Sequence, residues 1–129
     1  MKSPTAGLAG YIQSPGWDKG LKYPAMMDSR VTLTPPSGHV TLLSFRQLYL
    51  EKPCNYDSLS LFQETASAAH LLWRVCGEVA PLPQLHRASQ LHVHFVSDFN
   101  VQFGGFRMFF SFHEVRELSL IHISEPTRR

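Results

Sequence analysis

The chain of 129 residues has the length of one domain and is long enough to bury a hydrophobic core. Apolar residues make up 43% of it and aromatic residues 12%, which excludes an intrinsically disordered chain. The formal net charge of +2 comes without a cluster of Lys and Arg that would indicate nucleic-acid binding, and no apolar run is long enough to span a membrane.

The first half of the chain predicts short strands separated by turns. Residues 1–9 are small and polar, which predicts a frayed segment or linker. Val31–Thr34 alternates apolar and polar residues like a half-buried strand, and Pro35–Gly38 follows as a turn. The dense apolar run Val40–Leu50 alternates imperfectly, which predicts a strand covered on both faces.

The middle of the chain begins with a turn rich in oxygen ligands. Glu51–Asp57 contains Pro53 and carries carboxylates on either side of a cysteine, and the alternating run Ser58–Leu61 follows it as a strand. Residues 63–74 have good local helix propensity. We nevertheless predict a loop or short turn there, because the neighbouring segments are strands and tertiary context often overrides propensity.

Two further strands are predicted in the second half, Leu91–Phe95 and Phe106–Phe112, and both alternate cleanly. In the second of them four large apolar residues share one face, namely Phe106, Met108, Phe110 and Phe112. Short strands, frequent Pro and Gly, and the near absence of helical periodicity together predict an all-β sandwich.

Four short motifs occur in order along this pattern: Cys54-Asn-Tyr-Asp57, Cys76-Gly77, Ser97-Asp98 and Gly105-Phe106. In this order they resemble the CUB family of extracellular modules, and the resemblance covers roughly residues 7–115. It implies an all-β, CUB-type antiparallel β-sandwich with a jelly-roll-like arrangement, formed by residues 10–115. It also implies a secreted or cell-surface protein, of which this chain is a fragment without the signal peptide.

The segment after the domain, residues 116–129, is predicted to be a tail. Residues 118–129 resemble the in-frame translation of a transposase-end adaptor used for sequencing libraries, so we expect an artefactual extension. The alternative is a last strand, Ser119–Ile123, followed by a polar end.

The two cysteines would on their own be compatible with free thiols. The CUB resemblance implies instead a disulfide between Cys54 and Cys76, formed in an oxidising compartment. Most members of the family have a second, earlier disulfide, and this chain has Ser29 at the position of one of its cysteines.

The resemblance also implies a calcium site made of Glu51, Asp57 and Asp98, with Asn100 as a further ligand. Clustered carboxylates repel one another, and a divalent cation relieves that repulsion. In the family such a site leaves an acidic rim that holds a Lys or Arg of a partner protein, which assigns partner binding to Tyr23, Glu51 and Asp98. The alternative is that these acidic residues are ordinary solvated loop residues.

Other chemistries have less support. His92 and His94 point the same way on a strand and could bind zinc, but a third ligand is not evident in the sequence. The sequence has no nucleophile motif and no phosphate-binding loop, so we expect a non-catalytic module. The alternatives to a calcium-dependent binding module are a structural spacer without calcium and an accessory domain of an extracellular protease.

Overall fold

The chain folds as a sandwich of two four-stranded antiparallel sheets, which confirms the predicted fold class. The computed structural model describes residues 9–65, 68–99 and 103–115. The strands are β1 Ala9–Gln13, β2 Asp28–Leu33, β3 His39–Tyr49, β4 Ser58–Glu64, β5 Ala69–Val75, β6 Gln84–His86, β7 Gln90–Val96 and β8 Gly105–Glu114. The first sheet has the order β1-β8-β3-β6 and the second the order β2-β7-β4-β5. One turn of 3-10 helix, Trp17–Lys19, lies between β1 and β2, and the described residues contain no helix that could span a membrane.

The core lies between the sheets, where β7 and β8 supply seven of the buried apolar side chains. β7 alternates buried and less buried positions along its length, as the sequence predicted, and β8 does so from Phe106 to Phe110. The inward residues of these two strands are Leu91, Val93, Phe95, Phe106, Met108, Phe110 and Phe112. Because Phe95 and Phe106 pack edge to face at 5.1 Å between ring centres, the two sheets are in direct aromatic contact.

The imperfect alternation of β3 has a different cause from the one expected. The register of β3 against β8 shifts between Phe45 and Gln47, where a β-bulge changes which residues face inward. Leu43 is buried before the bulge and Leu48 after it, so the inward positions move from odd to even numbers. Exposed residues at this part of the strand show that β3 is not covered on both faces along its length.

The prediction of a loop or turn for residues 63–74 is wrong. β4 continues to Glu64, and Ala69–Val75 forms β5, which pairs antiparallel with β4. Trp73 and Val75 pack against the core, and β5 satisfies its backbone hydrogen bonds along one side through β4. These tertiary contacts outweigh the local helix propensity of the alanine-rich segment.

The predictions for both termini concern residues outside the described part of the chain, apart from Ala9. That residue begins β1 and pairs with Ser111, one position before the predicted start of the domain. Residues 1–8, the tail 116–129 and Asn100 are not among the described residues, so the predictions made for them stay predictions.

Three connections meet at one end of the sandwich. Glu51 follows β3, Asp57 precedes β4, Asp98 follows β7, and the segment 23–27 leads into β2. At the same end the predicted disulfide between Cys54 and Cys76 is present. Leu50 and Gly77, the second of which directly follows Cys76, exchange two backbone hydrogen bonds of 3.0 Å and join the end of β3 to the segment after β5. The predicted ligands are thus brought together where the two sheets are linked.

Candidate metal centre

Glu51, Asp57 and Asp98 form one cluster, in which a carboxylate oxygen of each lies within 4.8 Å of the others. Among the described residues it is the one group of three or more His, Cys, Asp or Glu side chains with converging ligand atoms. Glu51 comes from the end of a strand in one sheet, whereas Asp57 and Asp98 flank strands of the other. The cluster therefore spans the gap between the two layers.

Asp57 is the fixed member of the cluster, with no part of its side chain exposed to solvent. Its Oδ2 accepts a short hydrogen bond from the hydroxyl of Tyr23, and its Oδ1 accepts one of 2.9 Å from the backbone N–H of Asp98. Each carboxylate oxygen has a second lone pair, so these hydrogen bonds orient Asp57 without preventing it from binding a cation. The bond to Asp98 also fixes the loop that carries the third carboxylate.

The Tyr23 hydroxyl joins two sides of the cluster. It donates to Asp57 and accepts a hydrogen bond of 3.1 Å from the backbone N–H of Glu51. Its ring packs edge to face on Phe95 at 5.2 Å, and the whole side chain is only 1% exposed. A hydroxyl anchored in this way sets the distance between the loop of Glu51 and the carboxylate of Asp57.

Ser97 fastens the loop of Asp98 to the segment that precedes β2. Its hydroxyl donates to the carbonyl of Pro24 at 2.8 Å and accepts from the backbone N–H of Met27 at 2.9 Å. The backbone N–H of Met26 donates to the carbonyl of Asp98 at 2.9 Å. The sequence analysis assigned no role to Ser97, although its place beside Asp98 in the Ser-Asp motif was a usable signal.

The electrostatics of the site reflect crowded negative charge. Loss of hydration, followed by the charges of Asp98 and Asp57, raises the pKa of Glu51 above its ordinary value. Burial likewise raises the pKa of Asp57, although the hydrogen bonds from Tyr23 and from the Asp98 backbone oppose the shift. Burial and the hydrogen bond to Asp57 raise the pKa of Tyr23, which keeps its hydroxyl protonated and able to donate. A cation bound between the carboxylates would relieve this repulsion.

The Oε1 atom of Glu51 is buried and has no hydrogen-bond partner among the described residues. A buried carboxylate oxygen without a partner is costly unless a cation or a donor satisfies it. Three carboxylates this close together could hold a metal ion between them.

The site opens to solvent through a cavity of about 230 Å³ lined by Glu51, Tyr56, Asp98 and Phe99. Two carboxylates and two aromatic side chains thus share one mouth. Phe99 is 79% exposed and Tyr56 47% exposed, which is unusual for aromatic rings beside buried charge. The sequence analysis missed both residues. Their positions next to Asp98 and Asp57 in the two acidic loops were the available signal.

The zinc hypothesis is not supported by the described residues. His92 and His94 alternate with the buried residues of β7, as expected, but each contacts a different carboxylate. The Nε2 atom of His92 lies 2.6 Å from Glu64 Oε1, and that of His94 lies 2.6 Å from Asp28 Oδ1. No third ligand converges on the two imidazoles within the described part of the chain.

Comparison with known proteins agrees with this architecture. Residues 3–110 match the CUB domain family. Tolloid-like protein 2 of Mus musculus is 34% identical over 100 residues, which are 76% of this chain and 10% of that protein, so the chain spans about a tenth of that relative's length.

Two solved structures share the fold. The full extracellular region of zebrafish Gpr126/Adgrg6 has a TM-score of 0.71 at 25% identity, over 84% of this chain and 14% of that one. The MASP-1 CUB2 domain bound to Ca²⁺ has a TM-score of 0.69 at 23% identity, over 85% of this chain and 96% of that one. Since the family match covers most of the residues and the two-sheet architecture agrees with it, the chain belongs to the CUB domain family.

Proposed function

We propose that this CUB domain binds Ca²⁺ through Glu51, Asp57 and Asp98 and uses the ordered site to hold a basic side chain of a partner protein. The observation that carries the proposal is the convergence of three carboxylates within 4.8 Å of one another. One of them, Glu51, has a buried oxygen without a hydrogen-bond partner in the part of the chain that the structure describes. Asn100, two residues after Asp98, is proposed as a further oxygen ligand.

The donor set favours calcium over the other common metals. The described members of the cluster are all carboxylates, and oxygen ligands suit Ca²⁺ and Mg²⁺, whereas zinc sites use mostly His and Cys. Ca²⁺ accepts six to eight oxygens in a flexible geometry, so three carboxylates completed by backbone carbonyls and water suffice. Mg²⁺ requires a smaller, nearly octahedral shell and keeps most of its own water.

The proposed role of the ion is to fix loops that belong to different sheets. Glu51 lies in the β3–β4 connection of one layer and Asp98 in the segment after β7 of the other. Most of the buried apolar side chains of the core lie on the strands rather than in these loops. Calcium therefore adds local order at one end of the sandwich and is not required for folding.

The proposed partner site is the remaining face of Glu51 and Asp98. Both side chains are partly exposed and line the cavity, whereas Asp57 is fully enclosed behind them. A Lys ammonium entering the cavity would meet two carboxylates held in place by the metal and form charge-assisted hydrogen bonds. Because these contacts lie at the surface, added salt weakens them.

Tyr23 is proposed to act on this partner site as a positioning residue. Its hydroxyl holds Asp57 and the backbone of Glu51, and its 1% exposure leaves little surface for direct contact with a partner. Losing the hydroxyl would let Glu51 move relative to Asp98. Partner binding then weakens more than calcium binding, since all the carboxylate ligands remain.

An extracellular, non-catalytic setting fits the proposal. The disulfide between Cys54 and Cys76 is of the kind that persists in oxidising compartments. The solved extracellular region of zebrafish Gpr126/Adgrg6 contains the same fold. Millimolar calcium, common outside cells, is also sufficient for weak sites of extracellular modules.

Thermal unfolding in millimolar calcium and in chelator tests calcium binding. Binding to the native state alone adds about 1.4 kcal/mol at ten times Kd, a shift of roughly 5 °C for a domain of this size. Asp98→Ala removes most of that gain, while Asp18→Ala, which removes an exposed carboxylate outside the cluster, retains it. Superimposable wild-type curves would contradict calcium binding and favour the structural spacer.

Retention on a surface coated with lysine amide tests the partner site. We expect retention of the wild type in calcium, its loss in chelator and its weakening in high salt. Glu51→Gln keeps the shape of the side chain but removes its charge, so it reduces retention. Retention that is unaffected by chelator would argue against a metal-ordered site.

A further inference from the structure

We propose that the partner residue held at this site is a lysine with an apolar neighbour, and that Tyr56 and Phe99 recognise the apolar part. This inference rests on the proposed function and adds a second component to it. The calcium-ordered carboxylates bind the charge, and the aromatic pair selects which exposed lysines are bound.

The acidic part and the aromatic part of the proposed binding site line the same cavity. The cavity of about 230 Å³ has four lining residues, of which Glu51 and Asp98 are acidic and Tyr56 and Phe99 aromatic. A lysine side chain has the same two parts, because a flexible aliphatic stem carries its compact ammonium group. When the ammonium lies against the carboxylates, its stem and the neighbouring side chain extend along the aromatic rings.

The exposure of the rings is the second observation. Single exposed apolar residues are common on protein surfaces and need no explanation. Here, however, Phe99 leaves 79% of its surface in water directly after the ligand Asp98, and Tyr56 leaves 47% directly before the ligand Asp57. Aromatic side chains are enriched at protein-binding surfaces, where they contribute a large apolar contact area.

The backbone holds the rings at the mouth. The N–H of Tyr56 donates to the carbonyl of Pro53 at 3.0 Å, which fixes its turn. The Asp98 carbonyl accepts from Met26, whose φ of 58° is uncommon for a residue other than glycine. The loop before Phe99 is thereby tied to the segment leading into β2. The side chain of Met26 is also exposed.

The lining of the cavity indicates which kind of ligand fits it, because it combines two carboxylates with two aromatic rings. A purely apolar ligand would leave the carboxylates of Glu51 and Asp98 desolvated beside it, and a purely basic ligand would leave both rings in water. A lysine next to a large apolar residue satisfies both parts of the cavity. Glutamine next to the same apolar residue lacks the positive charge and does not.

Three peptides displayed at equal density on a biosensor surface test the inference: acetyl-Gly-Lys-Phe-Gly, acetyl-Gly-Lys-Ser-Gly and acetyl-Gly-Gln-Phe-Gly. In calcium, we expect the wild type to bind the Lys-Phe peptide about tenfold more tightly than the Lys-Ser peptide, the size expected for burying much of one ring. The Gln-Phe peptide should show no binding, and chelator should abolish the binding of both lysine peptides.

Phe99→Ser is the decisive variant. It should lower the affinity for the Lys-Phe peptide to that for the Lys-Ser peptide, and it should leave the calcium-induced shift in melting temperature unchanged. Leu82→Ser is the matched control, because Leu82 is 82% exposed and does not line the cavity. It should bind all peptides as the wild type does.

The outcomes separate the two proposals. If calcium stabilises the wild type but the Lys-Phe and Lys-Ser peptides bind equally, or none binds, the aromatic component is wrong and calcium binding stands. Equal losses for both lysine peptides in Phe99→Ser would also overturn it, because they would show a general effect on the site. If calcium does not stabilise the wild type, the proposed function fails and this inference fails with it.

Discussion

Replacing Tyr23 by Phe tests the central hydrogen bonds of the site by removing one oxygen atom. The ring still fills its place against Phe95, so packing changes little. The change removes the donor to Asp57 Oδ2 and the acceptor for the backbone N–H of Glu51. Both groups are then left in a place that the rest of the protein shields from water.

The expected cost follows from those two bonds. A hydrogen bond to a charged group contributes about 1.5 to 3 kcal/mol, and an ordinary one about 1 kcal/mol. We therefore expect Tyr23→Phe to lower the free energy of unfolding by about 2 to 4 kcal/mol in chelator, a decrease of roughly 8 to 16 °C in melting temperature. Calcium should still stabilise the variant, because Glu51, Asp57 and Asp98 are unchanged.

Urea unfolding and thermal melting, each in calcium and in chelator, measure both quantities. Tyr49→Phe is the matched control, because Tyr49 lies on β3 and is exposed. It should change the free energy of unfolding by less than about 0.5 kcal/mol. If Tyr23→Phe is as mild as Tyr49→Phe, the Tyr23 hydroxyl does not hold the site together and the reasoning is refuted.

Three further predictions concern the same end of the sandwich. Reducing the disulfide should lower the free energy of unfolding by about 3 kcal/mol, because the bond links residues 22 positions apart in the chain. An unchanged melting temperature in reductant would show that the disulfide is dispensable. Gly105→Ala should cost more than about 2 kcal/mol, because the glycine has a φ of 103° and an added Cβ would lie 2.0 Å from the Ser14 hydroxyl; an unchanged melting temperature would contradict this. In chelator, the raised pKa values of Glu51 and Asp57 mean that the native state binds protons more tightly than the unfolded chain. The contribution of these two groups to stability should therefore increase as the pH falls from neutral toward their ordinary pKa values of 4.5 and 3.8. Over the same range the stabilisation by calcium should decrease. A stabilisation by calcium that does not depend on pH would count against carboxylate ligands.

The strands were predictable where one face is buried and the other is not. β7 and β8 alternate cleanly, because each pairs on both sides and contributes one face to the core. The bulge in β3 could not be read from the sequence, since it depends on the register against β8. β5 was missed because its residues are mostly exposed, and its pairing with β4 rather than its own pattern makes it a strand.

The convergence of the three carboxylates was predictable from the sequence, but their individual contacts were not. The CUB resemblance assigned Glu51, Asp57 and Asp98 to one site, and the structure brings all three together. That Tyr23 bonds to Asp57, rather than to the side chain of Glu51, depends on the packing of its ring against Phe95. These contacts depend on the distance between the two sheets, and the local sequence pattern does not predict that distance.

The two backbone hydrogen bonds between Leu50 and Gly77 affect the order in which parts of the domain unfold. They join the end of β3 in one sheet to the segment after β5 in the other, so the layers cannot separate there without breaking both bonds. The neighbouring disulfide keeps the two segments close even after those bonds break. When the chain is pulled, the two sheets should therefore separate first at the opposite end of the sandwich. These two amides would be among the last to exchange their hydrogens with solvent.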